Sequence, residues 1–205
     1  MTSHQPTTHE GVFKRVLWLY GAYTLLSNAA YLLGYYLLPE GFMRGSPAVA
    51  VGRLAATGMF WSEFAMTLLV NLGWVVAIGA LLNLIQVKGF SLGYLWPMSL
   101  GIISGLISGT NSFAASDLRQ YNAWEGMARG ISIGGLEMLA YILVIASTVS
   151  LGVYQYRSWW QQWKPTKVMN LRDVRLSRAE LLCLIGGILL LILAAYRETI
   201  LATNL

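Results

Sequence analysis

The sequence has few of the residues on which most catalytic and metal sites depend. Its only histidines are His4 and His9, in a polar N-terminal tail predicted over residues 1–12, and its only cysteine is Cys183, inside an apolar run. Zinc sites, CxxC redox motifs, paired haem ligands and intramolecular disulfides all need more of these residues. We therefore expect no catalytic residue, no metal site and no cofactor, and we expect Cys183 to be a buried packing residue.

Charged residues are also scarce. They make up 11% of the 205 residues, whereas a soluble domain usually has about 25%. The hydrophobic fraction is 56% and the mean hydropathy is +0.56. The net charge of +5 does not suggest a nucleic acid partner, because the basic residues are not interleaved with a polar binding face. The composition predicts a single integral membrane domain over residues 1–205.

Long windows without charge locate the membrane spans. A helix that crosses the bilayer needs about 20 apolar residues, and residues 16–39, 64–87 and 89–116 carry no charge at all. Between Arg129 and Arg157 the only charged residue is Glu137. The predicted fold class is therefore an all-α bundle of about five transmembrane helices with short interfacial helices. The predicted spans are 16–38, 61–86, 90–112, 130–154 and 179–201.

The distribution of Lys and Arg predicts the orientation of these spans. With five spans, the N-terminus shares one side of the membrane with the second and fourth loops. That side carries nine basic residues: Lys14, Arg15, Lys88, Arg157, Lys164, Lys167, Arg172, Arg175 and Arg178. The other side carries five: Arg44, Arg53, Arg119, Arg129 and Arg197. Since basic loops favour the cytoplasm, we expect the N-terminus in the cytoplasm and the C-terminus outside.

Several segments are typical of the membrane interface. Residues 40–60 and 114–129 combine small, aromatic and single basic residues, and the second segment has the spacing of a short amphipathic helix. The tryptophans and tyrosines are interpreted as interface anchors rather than as a cofactor site. Ser177 and Glu180 match a capping box, which predicts the start of the last span.

The third span carries a stripe of small residues. Gly101, Gly105 and Gly109 recur at a spacing of four, so they lie on one helical face and allow another helix to approach closely. Two interpretations stay open at this point. The glycine face packs against another helix of the same chain, or it forms a contact between subunits.

Glu137 is the strongest polar signal in the chain. It lies about 10 Å inside the fourth span, where an unpaired carboxylate costs about 2.5–3.5 kcal/mol on insertion scales. We therefore expect Glu137 to face the bundle and to find a partner in its outer half. Arg197 and Asn71 are the first candidates, and Arg129 is the alternative. Glu198, at the end of the last span, completes the predicted set of intramembrane polar residues.

Three stretches of the sequence resemble the stage II sporulation protein M family of five-span prokaryotic membrane proteins, and the first of them has two parts. Residues 69–72 with Gly79 are similar to that family's Asn-Leu in a Gly-rich second span, and residues 88–93 to the turn that follows. Residues 134–140 are similar to the family's His-Gly-x-x-Glu-x-x-Ala segment, and residues 193–198 to its Ala-rich final span ending in Glu. The resemblance covers roughly residues 60–205.

The sequence departs from the family pattern at two positions. Ile133 stands where the family usually has His, and Lys88 stands where Asn is common. Any role of that His is therefore absent or replaced in this chain.

The resemblance implies a non-enzymatic scaffold or assembly subunit of a larger complex in a prokaryotic cell (inner) membrane. The expected partners are membrane lipid and other membrane protein subunits, including further copies of this chain. Two alternatives remain. A transporter or permease-like subunit would have accessible polar residues along a path from Glu63 through Asn71 to Glu137. An accessory subunit of an energy-converting or pigment-binding complex would bury lipid or pigment against aromatic faces.

Overall fold

The computed structural model describes residues 11–113, 119, 121–160 and 165–203. It confirms the all-α membrane bundle. Within the described residues, five helical segments are long and apolar enough to cross a membrane: Gly11–Leu37, Phe60–Leu82, Leu92–Gly109, Gly134–Leu151 and Arg178–Ala202. The chain is therefore a multi-pass membrane protein.

The helices and strands follow one another in a simple order. The seven α-helices are α1 (Gly11–Leu37), α2 (Pro47–Ala55), α3 (Phe60–Val70), α4 (Ala77–Leu82), α5 (Leu95–Gly109), α6 (Ala123–Ser147) and α7 (Arg178–Thr203). A π-helical segment, Asn71–Val76, joins α3 to α4, so these two form one span. The four short strands are β1 (Ile85–Val87), β2 (Phe90–Ser91), β3 (Tyr154–Tyr156) and β4 (Thr166–Lys167). Short 3-10 turns occupy Leu92–Tyr94, Val149–Leu151 and Leu171–Asp173.

The strands correct three predicted helix boundaries. The span predicted over 61–86 ends at Leu82, the one predicted over 90–112 begins after a strand, and the one predicted over 130–154 ends at Ser147. A short apolar strand cannot be distinguished from the end of a buried helix by hydropathy alone. The four strands form one sheet in the order β2-β1-β3-β4, in which β1 and β3 are parallel.

A two-residue turn makes the first hairpin. Lys88 and Gly89 have φ angles of 50° and 83°, the left-handed conformation that a type I′ turn requires at both positions. Beside the hairpin, the fully buried Asn83 donates from Nδ2 to the Ile145 carbonyl and to Thr148 Oγ1, both at 2.7 Å. It also accepts a 2.5 Å hydrogen bond from Ser91. One side chain thus joins the hairpin to the end of α6.

The remaining helix ends differ less from the predictions. α1 begins at Gly11, earlier than the predicted residue 16. The predicted span begins after Lys14 and Arg15 because it follows the charge-free window, whereas both residues lie in the first turns of the helix. The predicted capping box is present: Ser177 Oγ accepts from Glu180 N at 3.3 Å, and Glu180 Oε2 accepts from Ser177 N at 2.9 Å. Glu180 also pairs with Arg15 at 2.9 Å. This ion pair ties the start of α7 to the start of α1.

The predicted interfacial segments are described only in part. Residues 114–118 and 120 of the segment 114–129 lie outside the described residues, and its last residues form the first turns of α6. Asn122 and Glu125 cap that helix with a reciprocal pair of hydrogen bonds. Between residues 40 and 60, the nine-residue α2 is capped by Ser46.

The core of the bundle lies where α6 meets its neighbours. α1 packs along α5, α6 packs along α7, and α1 also contacts α6. One buried cluster joins α6 to the π-helical segment and α7 through Tyr141, Ile145, Val75 and Leu191. A second cluster joins α1 to α6 through Leu19, Ile142 and Ala146.

Candidate functional site

A cavity of about 720 Å³ lies between the helices, bounded by α1, α2, α5, α6, the π-helical segment and α7. Most of its wall is apolar, with polar groups placed at intervals. The polar residues that matter for its chemistry are Tyr20, Tyr23, Asn28, Tyr31, Asn71, Arg129, Glu137, Tyr141 and Glu198. Its volume is within the roughly 300–1,000 Å³ range of small-molecule sites.

A π-helical segment begins at Asn71 on this wall. π-helical turns are rare and occur frequently at functional sites, because they alter the register of the side chains that follow. The indole Nε1 of Trp96, on α5, donates to the Val75 carbonyl at 2.9 Å. Trp96 therefore satisfies a backbone group of the irregular segment inside the bundle, where an unpaired one is costly.

Glu137 is the centre of a hydrogen-bonded group. Asn71 Nδ2 donates to Glu137 Oε1 at 2.5 Å, and the Tyr141 hydroxyl donates to the same oxygen at 2.5 Å. The predicted hydrogen bond between Asn71 and Glu137 is therefore present. Tyr141 lies one turn beyond Glu137 on α6 and is buried. Tyr141 is not among the residues predicted from the sequence, although its spacing of four residues after Glu137 places the two side chains on one helical face.

The predicted pairing of Glu137 with Arg197 is wrong. Arg197 instead donates to the carbonyl oxygen of Ser132 at 2.5 Å and to its hydroxyl at 3.3 Å. Ser132 lies on α6 more than one turn before Glu137, so the guanidinium meets α6 nearer the helix start. Arg129 is not the partner of Glu137 either, because its guanidinium lies 5.7 Å from the centre of the Tyr121 ring.

Two further carboxyl groups lie near Glu137. Glu198, on α7, lines the cavity and is in electrostatic range of both Glu137 and Glu63. Glu63 is buried and accepts a hydrogen bond from the backbone N–H of Gly58 at 3.3 Å. Of the path proposed for a permease, Asn71 and Glu137 line the cavity, whereas Glu63 does not.

The glycine face of α5 packs inside the chain. A Cβ added to Gly101 would lie 2.8 Å from the Tyr23 ring, and one added to Gly105 would lie 2.9 Å from Ala30 Cβ. A Cβ on Gly109 would meet the carbonyl oxygen of Tyr31. Of the two interpretations left open by the sequence, the structure places these glycines in the contact of α5 with α1.

The tyrosines of the first span correct an earlier interpretation. We interpreted the aromatic residues as interface anchors, but Tyr20, Tyr23 and Tyr31 are internal residues of α1 and line the cavity. Tyr31 is 3% exposed, and its hydroxyl has no hydrogen-bond partner among the described residues. The spacing of these tyrosines in the apolar first span is irregular. It therefore does not distinguish cavity-lining tyrosines from tyrosines that anchor a helix at the membrane interface. Trp159 and Trp160, by contrast, are exposed beside the sheet.

No protein-family model, curated protein or solved structure matches this chain. The resemblance to the stage II sporulation protein M family therefore stays a prediction. Within the described part of the chain, no group of three or more His, Cys, Asp or Glu side chains could hold a metal ion. The arrangement consists of hydrogen-bond donors and acceptors, carboxyl groups and aromatic rings around a space.

Proposed function

We propose that this protein is a non-enzymatic, multi-pass membrane subunit that binds an amphiphilic molecule in the cavity between its helices. A binding cavity fits the transporter or permease-like alternative better than the scaffold role that the resemblance implies. The observation that carries it is the cavity itself, with Glu137, Asn71 and Tyr141 at one wall. A mostly apolar pocket with a few grouped polar side chains is the usual form of a small-molecule site.

The placement of the polar groups supports this proposal. A carboxyl group inside a membrane span is costly unless it faces protein or an aqueous or polar space. The bonds from Asn71 and Tyr141 satisfy one oxygen of Glu137. These two hydrogen bonds do not fill the cavity of about 720 Å³ that lies beside them. A molecule with a polar end and an apolar body would cover both the polar wall and the apolar remainder.

The test is photolabelling with an octanol that carries an alkyl diazirine, on protein in phosphatidylcholine nanodiscs. We expect label on cavity residues such as Tyr23 and Met138, mapped by mass spectrometry. Gly134→Trp should remove that label, because Gly134 lines the cavity and an added Cβ there meets no described atom within 4 Å.

Gly186→Trp is the matched control. It makes the same change on α7, also with no described atom within 4 Å of an added Cβ, at a position that does not line the cavity. It should keep the wild-type labelling pattern. Label that is confined to outward-facing residues in the wild type would overturn the proposed function.

The scaffold or assembly role is a second proposal. What supports it is the span Phe60–Leu82, whose large side chains Trp61, Leu69, Trp74 and Leu81 are all more than half exposed. Other membrane subunits, including a second copy of the chain, could cover this face. Purification in mild detergent should then yield one repeatable partner or a defined oligomer, and a solitary monomer would count against this role.

The proposed location is a prokaryotic cell membrane, with the N-terminus in the cytoplasm and the C-terminus outside. The count of nine basic residues against five supports this orientation. In a Cys183→Ala background, Thr2→Cys and Leu205→Cys should react with a membrane-impermeant maleimide from opposite sides. Reaction of both from the same side would contradict a five-span arrangement.

A further inference from the structure

One oxygen of Glu137 is left available to the cavity. Both hydrogen bonds that Glu137 accepts, from Asn71 and from Tyr141, end on Oε1. Among the described residues, Oε2 accepts none, and the residue lines the cavity. A carboxylate has roughly four acceptor sites on its two oxygens. The group therefore keeps capacity for a donor that comes from outside the chain.

Further carboxyl groups surround this oxygen. Glu198 lines the same cavity and lies in electrostatic range of Glu137 and Glu63. No Lys or Arg in the described part of the chain forms an ion pair with any of these three carboxyl groups. The nearest candidate by sequence, Arg197, is bound to Ser132. Carboxyl groups that gather without a counter-ion favour a bound cation, because ionised carboxylates repel one another and attract it.

The positive group of the cavity lies at its other end. Arg129 precedes Glu137 by eight residues on α6, about 12 Å along the helix, and its guanidinium faces the Tyr121 ring. On the Glu137 side, the wall carries Tyr20 and Tyr23, whose ring faces attract cations. Tyr31 is 3% exposed, and its hydroxyl has no hydrogen-bond partner among the described residues. It is therefore a further polar group on this wall that a ligand can satisfy.

We infer that the cavity binds a lipophilic amine, with its protonated nitrogen at Glu137 Oε2 and Glu198 and its apolar body against the aliphatic wall. The inference rests on the proposed function and names its ligand class. An ammonium supplies N–H donors and a positive charge in one compact group. Hydrogen bonds with charged partners are about twice as strong as neutral ones.

The test uses three competitors with the same tail: octylammonium, octanol and octanoate. Each competes against the diazirine octanol for cavity labelling in the same nanodiscs. We expect octylammonium to compete at a concentration about tenfold or more below that of octanol, the ratio that a charged hydrogen bond confers. Octanoate should be the weakest of the three.

Three variants assign the preference to the carboxyl groups. Glu137→Gln should bring octylammonium and octanol to nearly equal potency, and Glu198→Gln should reduce the ratio in the same direction. Glu125→Gln, on the same helix but outside the cavity, should keep the wild-type ratio, since Gln also serves in a capping box. The partitioning of each competitor into the lipid is the same whichever variant is present. A change in the ratio between variants therefore reports on the protein.

The outcomes separate the two proposals. Equal potency of octylammonium and octanol in the wild type would overturn the amine assignment and leave cavity binding intact. Octanoate as the strongest competitor would also overturn it and would place the anchor at Arg129. A wild-type cavity that takes up no label at all would instead overturn the proposed function on which the inference rests.

Discussion

Gly105→Leu is expected to destabilise the contact between α1 and α5, two of the helices that bound the cavity. A Cβ at this position would meet the carbonyl oxygen of Ser27 and would lie 2.9 Å from Ala30 Cβ and 3.0 Å from the backbone N of Tyr31. Two of these three atoms belong to the α1 backbone, which cannot rotate away. Overpacking typically costs about 1–3 kcal/mol and more where the backbone must shift. We therefore expect a loss of at least about 3 kcal/mol.

The free energy of unfolding, measured by SDS titration with tryptophan fluorescence, checks this value. Gly186→Leu is the matched control, because an added Cβ there meets no described atom within 4 Å. It should change the unfolding free energy by less than about 0.5 kcal/mol. A Gly105→Leu protein that keeps its stability and loses only an oligomeric partner would restore the subunit-contact interpretation of this face.

Glu137→Leu is expected to cost about 2–4 kcal/mol of stability. It leaves the Asn71 amide and the Tyr141 hydroxyl without their shared acceptor. An unsatisfied buried polar group costs roughly 1–3 kcal/mol, and both donors belong to residues that are more than 90% buried. Glu137→Gln should cost much less, because its amide oxygen still accepts both hydrogen bonds.

Two double variants test whether this group acts as a unit. Asn71→Leu combined with Glu137→Leu should cost clearly less than the sum of the single changes, because residues in one network are not additive. Arg197→Met should not restore any of the stability that Glu137→Leu loses, since Arg197 bonds to Ser132. Rescue by Arg197→Met would show that the ion pair predicted from the sequence forms after all.

The glycine face illustrates how far sequence patterns reach. The spacing of Gly101, Gly105 and Gly109 predicts a close helix contact, because only a small residue allows two backbones to approach. It does not identify the partner, since any helix of the bundle or of another subunit presents backbone. The partner is α1, and this depends on how α5 packs in the bundle, which the glycine spacing does not encode.

The hydrogen-bonded group around Glu137 also shows that a sequence pattern does not identify the partner of a residue. The depth of Glu137 in its span predicted that it faces the bundle, and Asn71 was named as a partner. Arg197 is not the partner, because the rise along α7 gives its depth but neither the rotation nor the offset of α7 against α6. Those two quantities place its guanidinium beside Ser132 rather than Glu137.

The sequence by itself determined that this is a five-span membrane protein, because a charge-poor apolar run of about 20 residues has no other stable place than the bilayer. It also determined that a carboxyl group lies within a span. Only the tertiary structure decided that a π-helical turn begins at Asn71, that α1 contributes tyrosines to the same wall, and that a cavity lies between them. These features depend on the rotation and offset of one helix against another, which hydropathy and charge do not encode.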